Sequence, residues 1–268
     1  MKYKILGSAF IIFILFAFII SCSNSVNSPN DKPPSEKNKP QLEDVIGYTP
    51  EDIIQSNYPD REANLMALWY CNKLIPDIEI YNRFHDGINR LREEYGDSIP
   101  EVVIPFSAPW VPAEILVCLS DSADAEYEAG NYTAWDFLNE RLFIKKIREP
   151  LHDLLNLYNL SFKSNLNPTI LKSYYDTLPG VIFVEQNGYI GDWPCTYPWI
   201  INDTLTFLAR DAWEDCPSGC INSHFFYFKE TTDGFDLIGS WMKWEEPEPG
   251  WWPEAKVAYD TYRHGWPE

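Results

Sequence analysis

Cys216 and Cys220 bracket Pro217-Ser218-Gly219, with Asp215 just before them and His224 four residues beyond. Thiolate, imidazole and carboxylate are the groups that hold a transition metal, so this stretch is the first candidate for one. A structural zinc site needs four ligands at recognised spacings, and this spacing matches none of the common ones. A redox pair would need two residues between its cysteines, whereas three stand here. The expectation is a small disulfide between Cys216 and Cys220, tightened by Pro217 and Gly219, with no metal. Cys71, Cys118 and Cys195 raise the thiols beyond Cys22 to five. An odd number leaves at least one outside any internal bridge, and the connectivity of those three stays open.

Other chemistry is thinly signalled. His85, His152, His224 and His264 are far apart, and no nucleophile motif accompanies any of them. A hydrolase centred on Asp215 to His224 is one alternative, and it would rest on geometry alone. Carboxylates cluster at Glu93-Glu94, at Asp121, Asp124 and Glu126, and at Glu245-Glu246. A glycosidase needs two of them at a set separation across a cleft, and in so acidic a chain near pairs arise by chance. Trp241, Trp244, Trp251 and Trp252 have flat rings that can stack on sugars or fill a core. His224, Trp244, Trp251 and Trp252 together make the candidate ligand surface. No catalytic residue and no cofactor is expected.

At the start of the chain, Lys2 and Lys4 precede an apolar run from Ile5 to Ile20, followed by Ser21 and Cys22. A charged start, a short apolar core and a small residue at the cut are the parts of a secretory signal. The run is 16 residues long, below the roughly 20 that a spanning helix needs. Ile19-Ile20-Ser21-Cys22 resembles the lipobox of bacterial lipoproteins. That resemblance implies cleavage after Ser21 and lipidation of Cys22, which would anchor the chain in the bilayer. Ser23 stands where an Asp would resemble an inner-membrane retention signal, so the outer membrane of the cell envelope is the expected location.

Without its leader the chain keeps 19 basic and 40 acidic residues, a net charge of −21. That charge repels phosphate backbones and excludes nucleic acid as a partner. Eleven Trp, sixteen Tyr and fifteen Phe supply a large apolar core. The expected division is 1–21 signal peptide, 22–45 disordered tether rich in Ser, Asn, Pro and Lys, and 46–268 one globular α+β domain. Within that domain, 60–112 reads as helical, 113–190 as α/β and 191–268 as β-rich.

The clearest element is a helix with Ile78, Tyr81, Phe84, Ile88, Leu91 and Tyr95 at three-and-four spacing, begun near Pro76 and ended near Gly96. With Leu65, Met66, Trp69 and Tyr70 on a preceding helix it makes an N-terminal helical hairpin over residues 60–96. Strands are expected at 115–119, 160–162 and 181–184, and helices around Trp135 to Leu142, around Leu151, Leu154, Leu155 and Tyr158, and from Asn167 to Leu178. His224 to Lys229 and Phe235 to Trp241 flank Thr231-Thr232-Asp233-Gly234, the signal of an antiparallel β-hairpin in the C-terminal part. The tail from Glu245 is expected to cross the surface.

Two stretches resemble known families. Residues 115–187 end in Leu178-Pro179-Gly180-Val181 and Val184-Glu185-Gln186-Asn187, similar to the close of subtilisin-type protease propeptides. The resemblance implies a ferredoxin-like middle segment and, as an alternative function, a protease inhibitor or folding helper. Gln186 stands where that family usually has Pro. Trp213 to Ile221, with its Asp-Cys-Pro-Ser-Gly-Cys phrase, together with Phe106 and Pro109-Trp110-Val111-Pro112, resembles a group of secreted bacterial proteins with no assigned activity. The leading expectation is a non-enzymatic, lipid-anchored interaction module that binds a protein or glycan of the envelope.

Overall fold

Two aspartates start the helical part of the chain. The computed structural model describes residues 47–148, 156–188 and 191–264. The leader, Cys22, the tether and the helix expected around Leu151, Leu154 and Leu155 lie outside the described residues. A short helix α1 (Pro50–Gln55) opens with a capping box between Thr49 and Asp52. Asp60 then caps α2 (Arg61–Cys71), and Asp77 caps α3 (Ile78–Tyr95), each accepting a backbone N–H of the first turn. Pro76 thus precedes the cap and is not inside the helix. The α3 stripe of Tyr81, Phe84, Ile88 and Leu91 is buried as its spacing predicts, with Gly87 among them. The expected helical hairpin is present.

A 3₁₀ turn (Pro100–Val103) leads to β1 (Trp110–Leu119), α4 (Asp121–Glu128), α5 (Asp136–Arg141), β2 (Ile144–Arg148), β3 (Leu157–Phe162), α6 (Pro168–Tyr175) and β4 (Val181–Gly188). The four strands pair antiparallel in the order β2-β3-β1-β4. With the helices between them, this is the strand order of a ferredoxin-like sheet. Tyr158, Leu160 and Phe162 alternate onto one face. There Tyr158 meets Tyr127 and Trp135, and Phe162 meets Tyr175 of α6. Tyr158 is therefore a strand residue and not part of a helix. β2 was not expected: Ile-Lys-Lys-Ile-Arg is short, and its charges suit an exposed sheet edge.

The second sheet is a meander of β5 (Cys195–Ile201), β6 (Thr204–Trp213), β7 (Asn222–Glu230) and β8 (Phe235–Met242), antiparallel throughout. Asn202 and Asp203, both with positive φ, make the two-residue turn between β5 and β6. The expected Asp233-Gly234 hairpin joins β7 to β8, and Thr231 N–H bonds Gly234 O across it. The tail corrects the expectation for residues after Glu245. Trp252, Ala255, Ala258 and Tyr259 are buried on a helix, α7 (Trp252–His264), so the tail packs into the core as a helix instead of crossing the surface.

One apolar cluster joins α2, α3, the 102–110 segment, the meander and α7. Phe225 and Trp241 meet α7 through Trp252 on one face of the meander, while Phe228 meets Tyr95 of α3 on the other. Arg92 of α3 grips Glu62 of α2 through two 2.8 Å bonds, and Glu62 also accepts the Phe106 N–H at 2.7 Å. This link anchors the segment that runs on to Ser107 and Pro109.

Candidate functional site

The loop after β6 folds on itself within a few residues. Glu214 and Asp215 both take left-handed backbone, a 3₁₀ turn (Cys216–Ser218) follows, and Gly219 has φ +114°. Cys216 and Cys220 are joined by a disulfide, as expected. Cys71 and Cys195 remain thiols, and burial pushes the Cys195 thiol up to about 12.

Against this loop lies the segment 191–193. Asp192 N–H donates to Cys216 O at 2.8 Å. Gly191 has φ +113°, and a Cβ there would sit 3.0 Å from Cys216 O and 2.9 Å from Trp193 Nε1. Only glycine fits this approach. Arg210 of β6 then fixes the segment from inside. Its side chain is 1% exposed, and its fork meets both oxygens of Asp192, Nη1 at 2.5 Å and Nη2 at 2.8 Å. Nε donates to Ser223 Oγ at 2.9 Å, and the guanidinium lies over Tyr259. Burial works against the arginine's charge, but the Asp192 carboxylate and the nearby rings outweigh it and hold the group protonated.

The last turn of α7 completes the wall. Tyr262 donates its hydroxyl to Ser107 O at 2.6 Å. Arg263 Nη1 donates to Tyr259 Oη at 2.9 Å and lies 3.9 Å from Asp192 Oδ2. Burial and the charges of Arg210 and Arg263 press the Lys243 ammonium below its ordinary value.

These groups surround two adjoining cavities of about 280 Å³ and about 420 Å³, which share Pro109, Tyr262 and Arg263. The smaller is walled by Ser107 and Ala108, by Gly191, Asp192 and Trp193, and by Pro217 and Gly219 of the disulfide loop. Trp193 is half exposed. Trp69, Trp110, Asn72, Asn167, Thr169, Gln186 and Thr261 line the larger. Asn167 caps α6, and Gln186 of β4 donates to Thr169 Oγ1 at 2.7 Å. The phrases at 106–112 and 213–221, a hundred residues apart, thus meet at one place.

The expected surface of His224, Trp244, Trp251 and Trp252 does not form. His224 and Phe225 are neighbours on β7 and face opposite sides of the meander, and buried Trp252 packs on Phe225. His224 lies against Phe226, opposite Asp211 of β6 and Met242 of β8. Trp251 stacks on Tyr227. Trp244 alone is largely exposed, at 73%, with its Nε1 donating to Ile221 O. Several clustered carboxylates are occupied locally. Glu94 accepts the Phe235 N–H, Asp121 accepts from Asn156, and Glu246 accepts the Met242 N–H. Among the described residues no group of three or more His, Cys, Asp and Glu could hold a metal, and no helix is long and apolar enough to cross a membrane.

Asp192, Arg210, Trp193, Tyr262 and Arg263 carry no motif, and only the α7 periodicity of Trp252, Ala255, Tyr259 and Tyr262 points towards the last two. Comparison with family models, with curated proteins and with solved structures finds no match for the chain.

Proposed function

We propose that this chain is a lipid-anchored protein of the bacterial cell envelope, in the outer membrane, whose folded body is a non-enzymatic binding module. Its ligand is an envelope glycan or protein segment held at the paired cavities. Cys22 carries the anchor, and no cofactor takes part. The observation that supports this reading best is the sharing of Arg263 and Tyr262 by two adjoining cavities. Concave sites with an apolar lining and a few fixed polar groups are the usual form of a small-ligand site. The rigid backing of Asp192 by Arg210 supports it further, because a preorganised wall loses little freedom when a ligand docks.

A thermal-shift screen of the full-length protein in detergent, repeated on Trp193→Ala, tests the site. Ligands of the cavities should raise the melting temperature of the parent and do so far less for the variant. Turnover of any screened compound, abolished by one point change, would sink the non-enzymatic reading. Intact-mass analysis of protein from its native host tests the anchor, and a bare Cys22 or a retained leader would count against it.

The ferredoxin-like sheet order favours one rival, a propeptide-like inhibitor or folding helper acting through Leu178 to Asn187. Micromolar protein should then slow subtilisin-type proteases. Indifference across a panel removes that rival.

A further inference from the structure

We propose that the paired cavities take an acidic carbohydrate, a short saccharide carrying a carboxylate, with Arg263 as the group that holds the acid. This rests on the reading of the cavities as a ligand site. The charge balance points to the acid. Among the described residues Asp192 is the one carboxylate in the cavity walls, and both of its oxygens are already engaged by buried Arg210. Arg263 keeps only a 3.9 Å approach to it. Among the described residues two guanidiniums therefore share a single anion. This surplus sits in a chain whose net charge is −19, so it marks a local exception to the field of the molecule. One Arg263 nitrogen bonds Tyr259. The others remain for the planar, two-point contact that guanidinium makes with a carboxylate. A phosphate dianion fits less well, because Asp192 beside it would repel its second charge.

The rest of the lining points to a sugar. Gln186 donates one Nε2 hydrogen to Thr169 Oγ1, so the pair still presents a second amide N–H, the Gln186 carbonyl acceptor and the Thr169 hydroxyl donor on the wall of the larger cavity. Asn72 and Thr261 add further donors and acceptors. Vicinal hydroxyls need such mixed partners, since each hydroxyl both donates and accepts. Trp193, half exposed, lines the smaller cavity with an aromatic side chain, the residue type on which sugar rings stack. Both volumes lie near the lower part of the roughly 300–1,000 Å³ range of ligand sites, which suits about one or two sugar rings in each.

Isothermal titration of the full-length protein in detergent, at low and high salt, tests this. The probes are a tri-galacturonate, a matched neutral trisaccharide and a hexose 6-phosphate, each against the parent, Arg263→Gln and Trp193→Ala. Expected is at least about tenfold tighter binding of the acidic trisaccharide than of the neutral one, weakened by salt. Arg263→Gln should weaken the acidic trisaccharide at least about tenfold more than the neutral one, with the far-ultraviolet circular dichroism unchanged. Equal binding of acidic and neutral sugars, preference for the phosphate, or an unaffected Arg263→Gln would overturn the proposal. If no sugar binds while another ligand does and is lost in Trp193→Ala, the sugar assignment fails and the cavity reading stands. If Trp193→Ala weakens no ligand at all, both fail.

Discussion

Buried Arg210 makes Asp192 indispensable to folding as well as to the cavity wall. Asp192→Ala would leave a guanidinium that is 1% exposed without its anion. The expected loss is about 3–5 kcal/mol, read from urea unfolding at neutral pH; a loss below about 1 kcal/mol would mean that water reaches the arginine. Cys195 gives a second test at this scale. Its folded value is raised by burial to about 12 from 9.0, so the thiol form is the one that the fold favours. That contribution is complete below about pH 9 and is lost as the pH climbs towards 12, where unfolding releases the proton. The native thiol should resist alkylation at pH 8.5 and react on denaturation. Rapid labelling of native protein at Cys195, located by peptide mapping, would contradict this. Residues of this kind are poorly legible in sequence. Asp192 and Arg210 lie on neighbouring pieces of structure with nothing between them that marks a pair.

Helix α3 approaches the meander so closely that Gly87 has no room for a side chain. A Cβ there would stand 2.3 Å from Leu205 Cδ2, and Leu205 is itself buried. Alanine favours a helix over glycine by about 1 kcal/mol. Overpacking costs about 1–3 kcal/mol, so Gly87→Ala should lower stability by about 1 kcal/mol in chemical denaturation. A gain would show that the leucine turns aside freely. α3 was legible because one face alone is apolar over 18 residues. The β7–β8 hairpin was legible because Asp-Gly separates two aromatic runs. β2 was hidden by its brevity and its lysines, and α7 by the Pro- and Trp-rich approach from Glu245 to Pro253. In α7 the correct period was present, but punctuation residues ahead of it suggested an irregular tail.

Over the whole molecule, the disulfide matters more for shape than for stability. It closes only the loop from Cys216 to Cys220, which limits its entropic contribution to about 2 kcal/mol. Replacing both cysteines with serine should lower the melting temperature slightly and weaken cavity ligands through Pro217 and Gly219. Unchanged affinity would show that the loop wall is dispensable. The net charge of −19 predicts that added salt raises thermal stability by screening self-repulsion. A flat response between 10 and 300 mM salt would show that the charges are already compensated locally. The α+β class and the ferredoxin-like order were legible because periodicity and the Leu178 to Asn187 phrase agree. The cavities were not, since they draw on α2, β1, α6, β4, α7 and three loops at once. Among the described tryptophans, Trp69, Trp110 and Trp193 border the cavities, two of them buried and Trp193 half exposed. The protein thus has a built-in lamp at the smaller cavity: an occupant that dries Trp193 should turn its emission bluer, and the two sheltered indoles should keep their colour.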